Sequence, residues 1–167
     1  MGKTMDNLKD AFAGESQANR KYLFFAEKAD EEGHRQIARL FRAAADAETV
    51  HARNHLNVME GVRTTPDNLK EAISGEGYEF EKMYPDFIER AKAEGNNDAE
   101  VSFRRANAVE KIHYRLYSGA LKVLEDGTEL KDEAYFVCQV CGNTVPGEAP
   151  IVCPICGAPL SKFKKID

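Results

Sequence analysis

The chain predicts an all-α protein: a four-helix bundle built as a duplicated antiparallel hairpin, with a small metal-binding domain after it. Three observations carry this expectation. Long stretches of helical apolar periodicity are separated by glycines at near-regular intervals. A set of acidic and histidine residues recurs at a fixed offset. All four cysteines are confined to the last part of the sequence, as two Cys-x-x-Cys pairs.

The elements follow in order. Helical periodicity runs from about residue 4 to 126, broken at Gly33, Gly61, Gly95 and Gly127, positions that suit glycines just past helix C-termini. Thr65-Pro66 suits a helix start, with Thr65 as the N-cap and Pro66 at the first helical position. This gives helices over roughly 4–32, 34–60, 66–94 and 97–126, with short links inside each pair, as antiparallel hairpins require. After Asp126-Gly127 the character changes. Pro146, Pro150, Pro154 and Pro159 fall among short apolar pieces, which describes a loop-rich module too small to fold on an apolar core alone. We therefore expect a bundle over 1–130 and a metal domain over 134–167.

Composition narrows the function classes. A formal net charge of −5 and no basic stripe argue against nucleic acid as a partner. No apolar run is long enough to span a membrane, and the polar N-terminal residues lack the apolar stretch of a secretory signal. A cytoplasmic protein is the expectation.

The repeat identifies the chemistry. Ala11-Phe-Ala-Gly-Glu15 recurs as Ala72-Ile-Ser-Gly-Glu76, and Glu48-x-x-His51 recurs as Glu110-x-x-His113, at offsets of 61 and 62. Each half thus offers one lone Glu and one Glu-x-x-His. These acidic residues interrupt apolar stripes: Leu8, Phe12, Glu15, Ala18, Tyr22, Phe25 and Ala29 on the first helix; Ile37, Phe41, Ala44, Glu48, His51, His55 and Val58 on the second. Leu69, Ile73, Glu76, Glu79 or Phe80, Met83 and Phe87 form the third stripe, and Phe103, Ala106, Glu110, His113, Tyr117, Ala120 and Leu124 the fourth. Counted from the hairpin glycines at ~1.5 Å per residue, the four carboxylates reach about the same level. Ionised carboxylates in an apolar layer need compensation, and cations supply it. One Glu from each of two helices plus Glu-x-x-His from each of the others is a di-metal ligand set. Glu48 and Glu110 suit bridging positions, and Glu15 and Glu76 terminal ones. Oxygen-rich ligation favours iron or manganese over zinc. A single Glu-x-x-His is ordinarily a surface ion pair; two at matched height are not.

Glu79 breaks the symmetry, because its counterpart in the first half is Ala18. It is either a further carboxylate ligand for one metal or a solvated helix charge. Tyr22 and Tyr84 fall within reach of the ligand layer as hydrogen-bond donors, or pack as core aromatics. His55 reads as a core or interface residue and His34 as surface. Cys138-Gln-Val-Cys141-Gly142 and Cys153-Pro-Ile-Cys156-Gly157 form two metal-binding knuckles whose spacing fits zinc or a single iron.

Together, Ala13-Gly14-Glu15-Ser16, Glu48-x-x-His51-Ala52, Gly75-Glu76-x-x-Glu79 with Met83-Tyr84-Pro85, Glu110-x-x-His113 and the four cysteines resemble the rubrerythrin family over nearly the whole chain. The resemblance implies a ferritin-like bundle with two non-haem iron ions held by Glu15, Glu48, His51, Glu76, Glu79, Glu110 and His113. It implies a rubredoxin-like domain with one iron on Cys138, Cys141, Cys153 and Cys156, where zinc would signal mis-metallation. It further implies a peroxidase that reduces hydrogen peroxide to water in oxidative-stress defence. Electrons would come from NAD(P)H through a reductase or rubredoxin and enter at the tetracysteine iron. A homodimer or higher homo-oligomer is implied, helix-swapped in some relatives. One iron would exchange Glu79 for His51 between oxidised and reduced states, which keeps the site near neutral as charge is lost. Tyr22 and Tyr84 would assist catalysis. Iron storage, or a zinc-stapled interaction module, are the competing readings. The first leaves the cysteine domain without a purpose and the second leaves the repeated ligands without one.

Overall fold

A computed structural model describes residues 2–167. It divides into two compact units, one ending at Arg63 and the other beginning at Thr64.

The first unit is one antiparallel hairpin of α1 (Lys3–Glu31) and α2 (Arg35–Val58). The chain reverses at Gly33, which takes φ +83°, a left-handed conformation that glycine enters without strain. The seam is made of small residues: Ala26, Ala29, Ala38 and Ala45 are the buried ones, with Phe41 packed against them. This corrects the expected stripe. Phe25, Ile37, His51 and Val58 belong to it by periodicity yet are exposed within this structure, and Glu15, Glu48 and Tyr22 are half-buried. The reason is geometric: one partner helix covers a narrow seam, and alanines let two helix axes approach. Asn19 reinforces the seam by donating to the Ala45 carbonyl (2.7 Å) and to Thr49 Oγ1 (2.9 Å). Arg42 pairs with Asp30 at 2.8 Å near the turn.

The second unit begins with α3 (Thr65–Tyr78), a π turn over Glu79–Met83, α4 (Tyr84–Ala93) and α5 (Asn97–Glu125). The expected single helix over 66–94 is therefore interrupted. Pro85 has no N–H to continue the ladder, and the turn before it widens, with the Tyr84 N–H donating to the Glu79 carbonyl five residues back. The N-cap is Thr64, not Thr65: its hydroxyl accepts from the Asp67 N–H at 3.4 Å and donates to Asp67 Oδ2 at 2.6 Å. Asn96 caps α5 through the Ala99 N–H at 3.1 Å. Gly95 and Gly127 adopt the expected left-handed φ; Gly61 does not, and Glu60 takes φ +53° in its place. Packing of α3 and α4 on α5 is aromatic: Phe80 meets Tyr114 edge-on at 5.3 Å, and Tyr84, Phe87 and Phe103 form a mutual cluster.

The C-terminal module is a three-stranded antiparallel sheet in the order β2-β1-β3, from β1 (Tyr135–Cys138), β2 (Thr144–Pro146) and β3 (Phe163–Ile166). Its core is Cys138, Cys153 and Ala158, with Cys141, Ile155, Cys156 and Phe163 against them. Among the described residues no helix is long and apolar enough to cross a membrane.

Ala38, fully buried in the α1–α2 seam, gives a direct test. Ala38→Leu forces the helices apart and is expected to destabilise the protein by about 1–3 kcal/mol, read as a lower denaturant midpoint. An unchanged midpoint would mean that the seam is looser than described.

Candidate metal centres

The repeated residues form two clusters of nearly the same geometry, one in each unit. In the first, Glu15 on α1 meets Glu48 and His51 on α2. His51 Nδ1 lies 3.0 Å from Glu48 Oε2 and 3.9 Å from Glu15 Oε1. In the second, Glu76 on α3 meets Glu110 and His113 on α5, with His113 Nδ1 at 2.9 Å from Glu110 Oε2 and 3.7 Å from Glu76 Oε1. The i, i+3 spacing places carboxylate and imidazole on adjacent turns, and the facing helix supplies the third group. In each cluster one candidate ligand atom from every residue lies within 4.8 Å of the others, so each set can reach a common cation.

Electrostatics points the same way. Burial, then repulsion from Glu110, pushes the Glu76 carboxyl up to about 7. Burial followed by the Glu110 charge raises Glu79 as well. His113 is raised by its hydrogen bond to Glu110, against the opposing effect of burial. In the first unit a hydrogen bond between the two carboxyls raises Glu15 and lowers Glu48. Carboxylates that hold protons against each other this way form a site short of positive charge, and a divalent or trivalent metal supplies it. The donor set fits iron.

Glu79 heads the π turn, is half-buried and feels the charges of Glu110 and His113, while the group of mutually close ligand atoms is Glu76, Glu110 and His113. His51 stands in the first unit. Tyr84 closes the same turn, and its hydroxyl is raised first by burial and then by Glu110, Glu79 and Glu76. Tyr22 packs its ring against Phe25 and Phe41. His34 is exposed, and His55 is half-buried and close enough to act on Glu15.

The four cysteines are free thiols brought together from both knuckles. Cys138 Sγ lies 3.7 Å from Cys156 Sγ, and Cys141 Sγ lies 3.6 Å from Cys153 Sγ. These separations are far from a disulfide bond and close to the edge of a tetrahedron with metal–sulfur bonds of about 2.3 Å, which is ~3.8 Å. Gly142 and Gly157 take φ +83° and +76°, as the turns after each pair require. Burial pushes Cys153 up, but the N–H groups of Cys156 and Ile155 outweigh it and bring the thiol to about 7, towards the thiolate a metal needs. Burial raises Cys141 and Cys156. Two contributors escaped the sequence reading. Asn143, 2% exposed, donates to Cys153 Sγ at 3.7 Å. Thr144 places Oγ1 2.9 Å from His113 Nε2. Neither residue belongs to the repeat or the cysteine spacing, so no signal in the sequence marks them.

Helices carrying paired carboxylate–histidine sets, followed by a tetracysteine sheet module, define an iron-binding protein of the ferritin-like class with a rubredoxin-like domain. The Rubrerythrin family model matches residues 6–121, and the model of the rubrerythrin rubredoxin-like domain matches residues 136–164. Among curated relatives, rubrerythrin-2 of Clostridium acetobutylicum is 35% identical, covering 96% of this chain and 95% of that one. Rubrerythrin of Porphyromonas gingivalis is 36% identical over 98% and 90% of the two chains, and nigerythrin of Nitratidesulfovibrio vulgaris 37% over 89% and 79%. Solved structures of nigerythrin in mixed-valence and fully reduced, all-ferrous states match at TM-score 0.58 and 36% identity, covering 99% of this chain and 88% of theirs. The chain belongs to the rubrerythrin family. Its cofactors are those of the family, a non-haem di-iron site and a rubredoxin-like tetracysteine site. The family is one of oxidoreductases, in general peroxidases of oxidative-stress defence that work with rubredoxin-type electron donors.

The raised groups set a pH dependence for the metal-free bundle. Glu76 and Glu79 ionise less readily folded than unfolded, so their contribution falls as pH rises from about 4.5; for Glu76 this fall extends through about 7. His113, also raised, contributes fully below about 6.5 and loses that contribution as pH climbs through its folded value. Both slopes have one sign. The thermal midpoint of protein lacking bundle metal is expected to drop between about pH 5 and about pH 8, with Glu76→Gln flattening the drop and ferrous iron abolishing it. A midpoint equally steep in Glu76→Gln would refute the assignment.

Proposed function

We propose that the chain is a hydrogen peroxide reductase, a peroxidase with a di-iron site in the bundle over 1–130 and an electron-entry iron in the module over 134–167. The observation that carries the reading is the pair of similarly spaced Glu/Glu/His clusters on one chain with a tetrahedral set of four thiols. Glu15, Glu48 and His51 with Glu76, Glu110 and His113 would hold the two bundle irons. Glu79 would be the added ligand of one iron and would trade places with His51. Cys138, Cys141, Cys153 and Cys156 would hold the third iron.

When bound, the iron pair supplies the two electrons that, with two protons, convert one hydrogen peroxide to two waters. The chain's own groups set the conditions for this. Six carboxylate and imidazole ligands, with Glu79, keep the site near neutral. The Tyr84 hydroxyl, held protonated by burial and three nearby carboxylates, would be a hydrogen-bond and proton donor towards peroxide in the site. Tyr22 is assigned the matching donor role in the first unit. Electrons would arrive singly from a rubredoxin or an NAD(P)H-dependent reductase at the exposed module, in a cytoplasmic homodimer or larger homo-oligomer.

Protein purified without oxygen should contain about three irons per chain and show ferric-thiolate colour. Glu79→Gln is expected to lower peroxide turnover by about tenfold or more, as loss of a metal-site partner does, with the thiolate absorption unchanged. Full turnover in that variant would remove Glu79 from the mechanism, and a bundle that takes up no iron would end the peroxidase reading.

A further inference from the structure

The hydroxyl of Thr144 settles the hydrogen-bonding direction at a bundle ligand. Its Oγ1 donates to the Gly142 carbonyl oxygen at 3.0 Å and lies 2.9 Å from His113 Nε2. A hydroxyl has one hydrogen to give, and a carbonyl can only accept. The hydrogen is therefore committed to Gly142, and the contact to His113 requires Nε2–H as donor and Thr144 as acceptor.

On the other side of the ring, Nδ1 faces Glu110 at 2.9 Å and Glu76 at 3.7 Å. A neutral imidazole carries hydrogen on one ring nitrogen only, so an Nε2–H given to Thr144 leaves the lone pair on Nδ1, the nitrogen that faces the two carboxylates. The space behind the ring is a pocket of about 390 Å³ lined by Leu69, Leu116, Ala120 and Leu130 together with Tyr117 and Tyr135.

We propose that Thr144 is a positioning residue for His113: it fixes the Nε2–H tautomer and ring orientation, so that Nδ1 is presented to metal alongside Glu76 and Glu110. This rests on the reading that those three residues hold a metal. The positioning hydroxyl belongs to the tetracysteine module. It sits three residues after Cys141 and is tethered to Gly142, whose own N–H donates to the Cys138 carbonyl at 2.8 Å. Folding of the module around its thiols therefore orients an imidazole on α5. The first unit differs: His51 repeats the Nδ1 contacts, but its side chain is 54% exposed against 26% for His113.

The test uses the full-length, anaerobically iron-loaded protein with Thr144→Val, which keeps the shape and removes the hydroxyl, and Thr144→Ser, which restores it. Two quantities are read besides turnover: retention of bundle iron against a chelator, and the solvent-exchange rate of the His113 ring N–H among the iron-shifted proton resonances. Thr144→Val is expected to bind one of the two bundle irons about tenfold or more weakly and to exchange the ring proton faster. Thr144→Ser should recover both, and ferric-thiolate absorption should stay unchanged throughout, reporting a folded module. Equal iron retention and exchange in wild type and Thr144→Val would overturn the proposal and leave the di-iron reading standing. A serine variant as impaired as valine would also overturn it, because the loss would then be one of packing. Wild type that takes no iron at the Glu/His clusters would overturn the underlying reading, and this inference with it.

Discussion

Carboxylates crowded beside one another in half-buried positions are costly, and the helical part of this protein is arranged around that cost. Glu76 holds its proton to about 7 because burial and Glu110 both oppose its charge, and Glu15 is raised first by its hydrogen bond to Glu48. Without a cation, each cluster must keep protons or push its members apart. With one, the same groups become ligands, and their mutual repulsion turns into affinity. The duplication of Glu and Glu-x-x-His, the narrow alanine seam of the first unit and the aromatic packing of the second all leave these side chains clustered.

The π turn adds a second constraint. Pro85 interrupts the backbone ladder, and the turn that accommodates it spans Glu79 to Met83, so Glu79 and Tyr84 stand at its two ends. A regular helix would rotate one of them away from Glu110. Backbone irregularity here brings Glu79 and Tyr84 to the side of Glu110, and the counterpart of Glu79 in the first unit is Ala18. The asymmetry between units therefore arises from a proline and one extra residue in a turn, and it falls where a redox site would use a ligand able to change.

The tetracysteine module depends on the same principle with softer ligands. Its buried core is two of its own cysteines and an alanine, too little apolar surface to hold three short strands. Four thiols at tetrahedral separations, with Asn143 and backbone N–H groups directed at them, make metal binding and folding one event. Through Thr144 the module touches His113, so the four thiols and the Glu76/Glu110/His113 cluster share a structural element within the second unit.

The residues that meet were largely legible in the sequence because ligand chemistry is local. Glu-x-x-His places two donors on adjacent turns whatever the rest of the chain does, Cys-x-x-Cys does the same for sulfur, and duplication at an offset of 61 to 62 exposes the partners. Gly33, Gly95 and Gly127 were equally legible, since a left-handed φ demands glycine. Tertiary structure decided what depends on distant neighbours. It made Thr64 the cap and not Thr65, and gave Glu60 the left-handed turn expected of Gly61. It interrupted the third helix, chose alanines over the large apolar residues for the first seam, and grouped Glu79 with Glu110. Above all, it brought Thr144 to His113 across 31 residues of sequence. A hydroxyl carries no spacing rule of its own, so its role exists only where the folded chain happens to set it against a ring nitrogen.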